Sequence, residues 1–235
     1  MASDSTAHCA AGPPVPQQGH YLRPGRPFSL AELHSLCLDG VLQYVFADVY
    51  AWAELPADRS LRTGAAASVL SSTLRDSTVL CGETAAWIHL GGHGPQVVTV
   101  ISSGTFRRPT GPLRRWQVHQ VPLSPDECAQ LDDTLMPVTT PVRTAADLLV
   151  GVGIPGDRRR LDELLSDPAD ASPNSGSSLP AEHELRRRLE LVAQLVAATN
   201  CSAPELAETV CRRLTYTARI SIDPETVQDL LGRAL

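Results

Sequence analysis

The chain has 235 residues, a formal net charge of −6 and 43% hydrophobic residues, enough to bury the core of one domain or of two small ones. All twenty basic residues are arginine. The absence of lysine excludes a P-loop, which needs a lysine on the phosphates, a pyridoxal-phosphate Schiff base, which needs a lysine amine, and a Glu-x-Lys nuclease, which needs a lysine beside its metal. Arginine cannot replace a lysine that must give up its proton. No apolar run approaches the roughly 18 residues of a membrane helix and no signal-peptide layout is present, so we expect a cytoplasmic protein without membrane contact.

The first segment, residues 1–27, is rich in Pro, Gly, Gln and Ser and has almost no apolar periodicity, which predicts a disordered tail. The pattern then changes. Ser29 and Glu32 have the spacing of a capping box at the start of a helix, and apolar residues follow at helical spacing. Residues 42–52 alternate imperfectly between apolar and polar around Ala47-Asp48, which predicts a short hairpin.

The middle of the chain mixes helices and strands. Residues 60–75 are rich in Ala and Ser and predict one helix, while Glu83 opens a second helix from which Trp87 is expected to reach the core. Strands are predicted at residues 97–101 and 116–121, with a loop between them.

That loop is the clearest electrostatic feature of the sequence. Residues 104–119 contain two interleaved aromatic residues, no acid and four arginines: Arg107, Arg108, Arg114 and Arg115. Such a loop can hold phosphates, stack on bases or contact an acidic protein, and the alternative is a solubilising hairpin tip. With no acid nearby in sequence, these arginines are expected to be less engaged in internal pairing than the triplets at 158–160 and 186–188.

A short stretch around residue 140 predicts a helix start and a charge pair together. Thr140 followed by Pro141 indicates an N-cap and a proline at the first helical position. Arg143 and Asp147 then lie on one face at i,i+4. Because the order Arg-then-Asp is the weaker one for helix stability, we expect the pair to be a buried or half-buried ion pair that serves tertiary structure.

The C-terminal part is predicted to be helical. Residues 167–180 have the composition of a flexible linker. Helices are expected at 182–198, where Arg186 and Arg188 should form a solvated, paired face, and after capping residues Ser202 and Asp223.

Neither the six cysteines nor the histidines show metal-ligand spacing. His89 and His93 are separated by Gly91-Gly92, which would end a helix between them. We therefore predict no metal site and no cofactor.

Two motifs in this chain resemble a known family. VTTPVRTAADLL at residues 138–149 and LCGETAAWIH at residues 80–89 resemble actinobacterial proteins of the AbiEi family, the antitoxins of type IV toxin–antitoxin systems. The likeness covers roughly residues 26–166. Its motif positions here are Thr140, Pro141, Arg143, Asp147, Glu83 and Trp87.

The resemblance implies a winged helix-turn-helix near the N-terminus. Only one convincing helix precedes the predicted hairpin here, and residues 36–44 contain no cluster of Arg, Asn or Gln for contacting bases. The winged element is therefore predicted to be degenerate.

These patterns together predict an α+β fold. Its predicted parts are a disordered tail (1–27), a degenerate winged-helix-like element (28–55), an AbiEi-like α/β domain (56–166), a linker (167–180) and a helical C-terminal region (181–235).

The function that the resemblance implies is binding without catalysis. The partners would be a cognate toxin and promoter DNA, with the arginine loop as a contact surface and no small-molecule substrate. One alternative is a small metal-dependent nuclease, which the lack of lysine and of an acidic cluster after residue 167 disfavours. Another is an orphan structural relative that does not bind DNA.

Overall fold

A computed structural model describes residues 20–25, 27–102, 115–130, 136–150, 179–199, 201–218 and 223–234. Within these ranges the predicted α+β class is confirmed. The eight described strands are β1 (Tyr21–Leu22), β2 (Leu42–Phe46), β3 (Val49–Trp52), β4 (Thr78–Leu80), β5 (Val98–Ser102), β6 (Trp116–Gln120), β7 (Cys128–Ala129) and β8 (Val138–Thr139). The described helices are α1 (Leu30–Leu38), α2 (Arg59–Val69), α3 (Ser72–Ser77), α4 (Gly82–Leu90), α5 (Pro141–Val150), α6 (Leu179–Thr199), α7 (Ala203–Ala218) and α8 (Pro224–Ala234).

A small antiparallel sheet with strand order β1-β3-β2 forms the N-terminal part, and α1 packs against it. The predicted hairpin is confirmed, since Ala47 and Asp48 turn β2 into β3 with φ values of 43° and 57°. A two-residue hairpin turn uses this left-handed region because its twist matches that of the strands. The predicted capping box of α1 is also present: Ser29 N donates to Glu32 Oε2 at 2.7 Å, and Glu32 N donates to Ser29 Oγ at 3.3 Å.

The predicted boundary of the N-terminal tail at residue 27 is wrong. Tyr21 and Leu22 form β1 and pair with β3, and the Tyr21 hydroxyl donates to the Leu61 carbonyl at 3.1 Å. The Tyr21 ring lies directly over Gly64 in α2, where there is no Cβ to exclude it. A strand of two residues is too short to produce a sequence period, so composition alone predicted a tail.

The larger sheet has the strand order β6-β5-β4-β8-β7 and is mixed. β4 pairs antiparallel with β5, whereas β5 and β6 run parallel. Because β5 and β6 run parallel, they do not form a hairpin, and the alternative of a hairpin tip is wrong. Arg107, Arg108 and Arg114 lie outside the described residues.

The single helix predicted at residues 60–75 is in fact two helices. Asp58 caps α2, accepting from Leu61 N at 2.9 Å. Leu70 is extended, and Ser71 starts α3 by accepting from Leu74 N at 3.4 Å. A second capping serine inside an apolar pattern was the sequence signal for this break.

Three larger apolar clusters and a small fourth one around Cys81 and Ile101 hold the described elements together. One lies between the two sheets and includes α2 and α4; Trp87 belongs to it, 4% exposed, with its ring centroid 4.7 Å from that of Phe46, so its predicted core position is confirmed. A second, around Leu33, Leu42 and Tyr50, lies under α1.

The third cluster joins α5 to the C-terminal helices. Ala145 and Leu148 of α5 pack there with residues of all three, including Val192, Leu206 and Val227. The predicted C-terminal helices are thus present and share a core with the middle of the chain, with α6 beginning at Leu179 inside the segment predicted as linker. None of the described helices is long and apolar enough to cross a membrane.

Candidate functional site

The Thr140-Pro141 motif begins α5 as predicted. Pro141 is the first helical residue, and Arg143 N donates to Thr140 Oγ1 at 3.4 Å. This start point places Arg143 and Asp147 on the buried face of the helix, where they are 1% and 0% exposed.

Arg143 uses all three guanidinium nitrogens. Its Nε donates to Asp147 Oδ1 at 3.0 Å, its Nη1 to Glu127 Oε2 at 2.5 Å and its Nη2 to the Pro122 carbonyl at 3.2 Å. The predicted Arg143–Asp147 pair is therefore confirmed, as a buried structural pair. Because a buried ion pair repays its desolvation only with good geometry and further hydrogen bonds, the additional acceptors are what make Arg143 tolerable in the interior.

Two consecutive arginines of α7 extend this pair into a buried charge cluster, which we define as Glu127, Arg143, Asp147, Arg212 and Arg213. Arg213, 3% exposed, donates from Nε to Asp147 Oδ1 at 3.0 Å. Arg212, half exposed, donates to Glu127 Oε1 at 3.2 Å. The cluster thus ties α7 to α5 and to the turn at Pro125–Glu127.

Burial shifts the pKa values of Asp147 and Arg213. It raises the pKa of Asp147 above the ordinary carboxyl value, and the charges of Arg213 and Arg143 oppose that rise. Asp147 Oδ2 is buried and has no hydrogen-bond partner among the described residues. Burial likewise lowers the pKa of Arg213, with Asp147 opposing.

Cys81 lies beside this cluster as the residue before α4. Burial raises the pKa of its thiol well above the usual value, and the charge of Asp147 raises it further. A thiol of this kind stays protonated near neutral pH, so the environment makes Cys81 a packed side chain and a poor nucleophile.

Glu83, another motif position, attaches α6 to α4. Arg187 Nη2 donates to Glu83 Oε2 at 3.1 Å, and Arg188 Nε lies 4.0 Å from Glu83 Oε1. Arg188 is 6% exposed, so its predicted place on a solvated face is wrong, whereas Arg186 is exposed as predicted. The acid that draws Arg188 inward lies far away in sequence, on another helix.

The one described member of the arginine loop is also paired. Arg115 donates to the Ala47 carbonyl and to the Asp48 carboxylate at the turn of the N-terminal hairpin. The expectation that it takes little part in internal pairing is therefore wrong for Arg115. Its acid lies 67 residues upstream, beyond the reach of a local sequence pattern.

The N-terminal element exposes an apolar surface. Among the described residues, the large hydrophobic side chains that are clearly exposed all fall between residues 30 and 52: Leu30, Leu38, Val41, Tyr44 and Trp52. Leu38 is 89% exposed and Tyr44 57%. On the sheet face that α1 covers, Tyr44 packs edge-on against the buried Tyr50, with ring centroids 5.5 Å apart. We call these five residues the apolar surface; their sequence pattern does not distinguish them from apolar residues that face the core.

In the described part of the chain, no three His, Cys, Asp or Glu side chains converge where a metal ion could bind. Comparisons of the chain with protein-family models, with curated proteins and with solved structures gave no significant match.

Proposed function

We propose that this protein acts by binding, as an antitoxin-like regulator of a type IV toxin–antitoxin system that counters a cognate toxin protein. The observation that carries the proposal is the apolar surface of α1 and the hairpin. Single exposed apolar residues are ordinary, but five of them in one small element are typical of a surface that a protein partner covers. The motifs at residues 80–89 and 138–149, which resemble the AbiEi family, supply the class of partner.

The arrangement of α1, the hairpin and β1 supports a degenerate winged-helix-like element. The side chains of this element favour the toxin over DNA as the main partner. α1 contains no Arg, Asn or Gln, and Gln43, which follows it, already donates to the carbonyls of Trp52 at 3.0 Å and Leu55 at 2.7 Å. Direct reading of bases needs such side chains to be available. Contact with promoter DNA would therefore fall to Arg107, Arg108 and Arg114.

Binding to the cognate toxin tests the proposal directly. Leu38→Glu places a charge at the most exposed apolar position, so it should weaken toxin binding measured by calorimetry by about tenfold or more while leaving the melting temperature nearly unchanged. Arg186→Ala, at an exposed position of α6, is the matched control and should bind as the wild type does. An unaltered affinity of Leu38→Glu would overturn the assignment of this surface.

Promoter DNA is tested separately, by gel shifts with the upstream DNA at two salt concentrations. If DNA binds, Arg107→Ala with Arg108→Ala should weaken all sequences alike and lower the salt slope by about two, roughly one unit per lost phosphate contact. Absence of any shift at low salt would identify a relative that binds protein alone.

A further inference from the structure

An open depression of about 430 Å³ lies beside β1, between the segment that leads into α1 and the ends of α2 and α3. Its volume falls in the range of small-ligand sites. Two arginines line it, Arg23 directly after β1 and Arg75 in the last turn of α3, together with Ser68 near the end of α2. The pairing of β1 with β3 and the contact of Tyr21 with α2 bring Arg23 to Ser68 and Arg75.

Arg23 is the better placed of the two cations to hold an anion. Its Nη1 donates to the Ser68 carbonyl at 3.5 Å, which is its one side-chain hydrogen bond within the described ranges. A guanidinium group has five N–H donors, so most of the donors of Arg23 remain for a ligand. The Ser68 hydroxyl donates to the Ala65 carbonyl at 2.7 Å and keeps its acceptor capacity.

The local field also favours an anion. Burial and the neighbouring charge of Arg115 lower the pKa of Arg23, and Asp48 opposes them. Asp48 is already paired with Arg115. An added anion would therefore relieve a repulsion between guanidinium groups.

Apolar side chains also line the depression: Phe28, which is half-buried, and the two prolines Pro24 and Pro27. Aromatic side chains and arginine planes are surfaces on which nucleic-acid bases stack. Guanidinium groups bind phosphate oxygens through paired N–H donors.

We propose that this depression binds a nucleotide, with its phosphates on Arg23 and Arg75 and its base against Phe28 and the two prolines. The nucleotide is either free or part of a single strand, and the same contacts serve both. The site is independent of the proposed toxin contact, because none of its lining residues belongs to the apolar surface.

Calorimetric titrations of the full chain with ATP, with inorganic tripolyphosphate and with a single-stranded DNA 12-mer test the proposal. We expect ATP or the 12-mer to bind, and to bind more tightly than tripolyphosphate because only they carry a base. The one that binds more tightly identifies the source of the nucleotide. Absence of binding by both, or equal binding of tripolyphosphate, would overturn the proposal.

Substitutions of the lining residues test whether the ligand binds in the depression. The double variant Arg23→Gln with Arg75→Gln removes two charge-assisted contacts and should weaken binding by about tenfold or more. The control is the double variant Arg59→Gln with Arg186→Gln, at two exposed positions outside the depression. It removes the same formal charge and should have little effect on binding. Phe28→Leu keeps the packing under α1 and removes the flat ring, so it should weaken ATP but not tripolyphosphate. Melting curves confirm that each variant folds. Equal losses in the two double variants would show nonspecific charge attraction and overturn the site.

Discussion

Arg213 of α7 donates to Asp147 Oδ1 at 3.0 Å, and Arg143 donates to the same oxygen at the same distance. Arg213 lies 66 residues after Asp147 in the chain. One carboxylate oxygen thus joins the motif helix α5 to the C-terminal helices. Both arginines are almost completely buried, so Asp147 offsets part of the charge of each, and Glu127 shares the charge of Arg143.

Asp147→Ala should therefore be among the most destabilising substitutions in the chain. Removing one partner of a buried ion pair leaves uncompensated charge, which costs about 3–5 kcal/mol in the free energy of unfolding. Urea melts measure it, and Arg212→Ala is the control: Arg212 is half exposed, so its loss should cost under about 1 kcal/mol. An Asp147→Ala loss below about 0.5 kcal/mol would contradict the burial of the cluster.

Gly64 should not tolerate a side chain. A Cβ built there lies 2.1 Å from the Tyr21 hydroxyl oxygen, and the neighbouring ring carbons are also too close. Gly64→Ala should cost about 1–3 kcal/mol, because Tyr21 must leave the core and loosen β1, even though alanine favours a helix interior.

A double-mutant cycle isolates this contact. In a Tyr21→Ala background the clash is absent, so Gly64→Ala should be neutral or stabilising by up to about 1 kcal/mol. Equal costs of Gly64→Ala in both backgrounds, measured by urea melts, would show that Tyr21 is not the obstacle.

His89 should make stability depend on pH. Its Nε2 lies 2.8 Å from the Thr139 carbonyl and so carries the proton, while Nδ1 is buried without a hydrogen-bond partner among the described residues. Burial lowers the pKa of His89 below 6.5, the Thr139 hydrogen bond opposes this, and the charges of Arg59 and Arg62 add to the lowering.

The direction of this pH dependence follows from proton binding in the folded and unfolded chains. Between the lowered folded-state pKa and 6.5, the unfolded chain binds more protons than the folded one, so this contribution is complete above pH 6.5 and is lost as the pH falls through that window. His89→Gln keeps a donor for Thr139 and removes the titration. Urea melts from pH 7.5 down to 5 (about the working range of His titration) should therefore show a shallower decline for the variant. Parallel curves for the two proteins would contradict this assignment.

Caps, helix starts and turns could be predicted from the sequence where the interacting groups are a few residues apart. The capping box of Ser29 and Glu32, the Thr140-Pro141 helix start and the Ala47-Asp48 turn each depend on neighbours within one turn of the chain. The Arg143–Asp147 pair was readable for the same reason.

Ion-pair partners that only the fold brings together could not be predicted from the sequence. Glu127 binds Arg212 across 85 residues, and Arg115 meets Asp48 across 67, so no spacing rule connects them. The relative direction of β5 and β6 could not be predicted either, because a continuous apolar run indicates only that both faces of a strand are buried. The sequence does not predict the candidate nucleotide site, because β1 has only two residues and produces no strand pattern.

Asp48 has two separable roles at the hairpin turn. Its carboxylate pairs with Arg115, and its backbone has φ 57°. Asp48→Asn keeps a residue that tolerates the left-handed region and loses only a half-exposed pair, so it should cost under about 1 kcal/mol. Asp48→Ala loses the pair as well and forces alanine into that region, which should add about 1 kcal/mol or more. With Arg115→Ala already in place, Asp48→Asn should cost almost nothing, while Asp48→Ala should keep its backbone cost. Equal urea-melt stabilities for the Asn and Ala variants in that background would show that the turn does not constrain this residue.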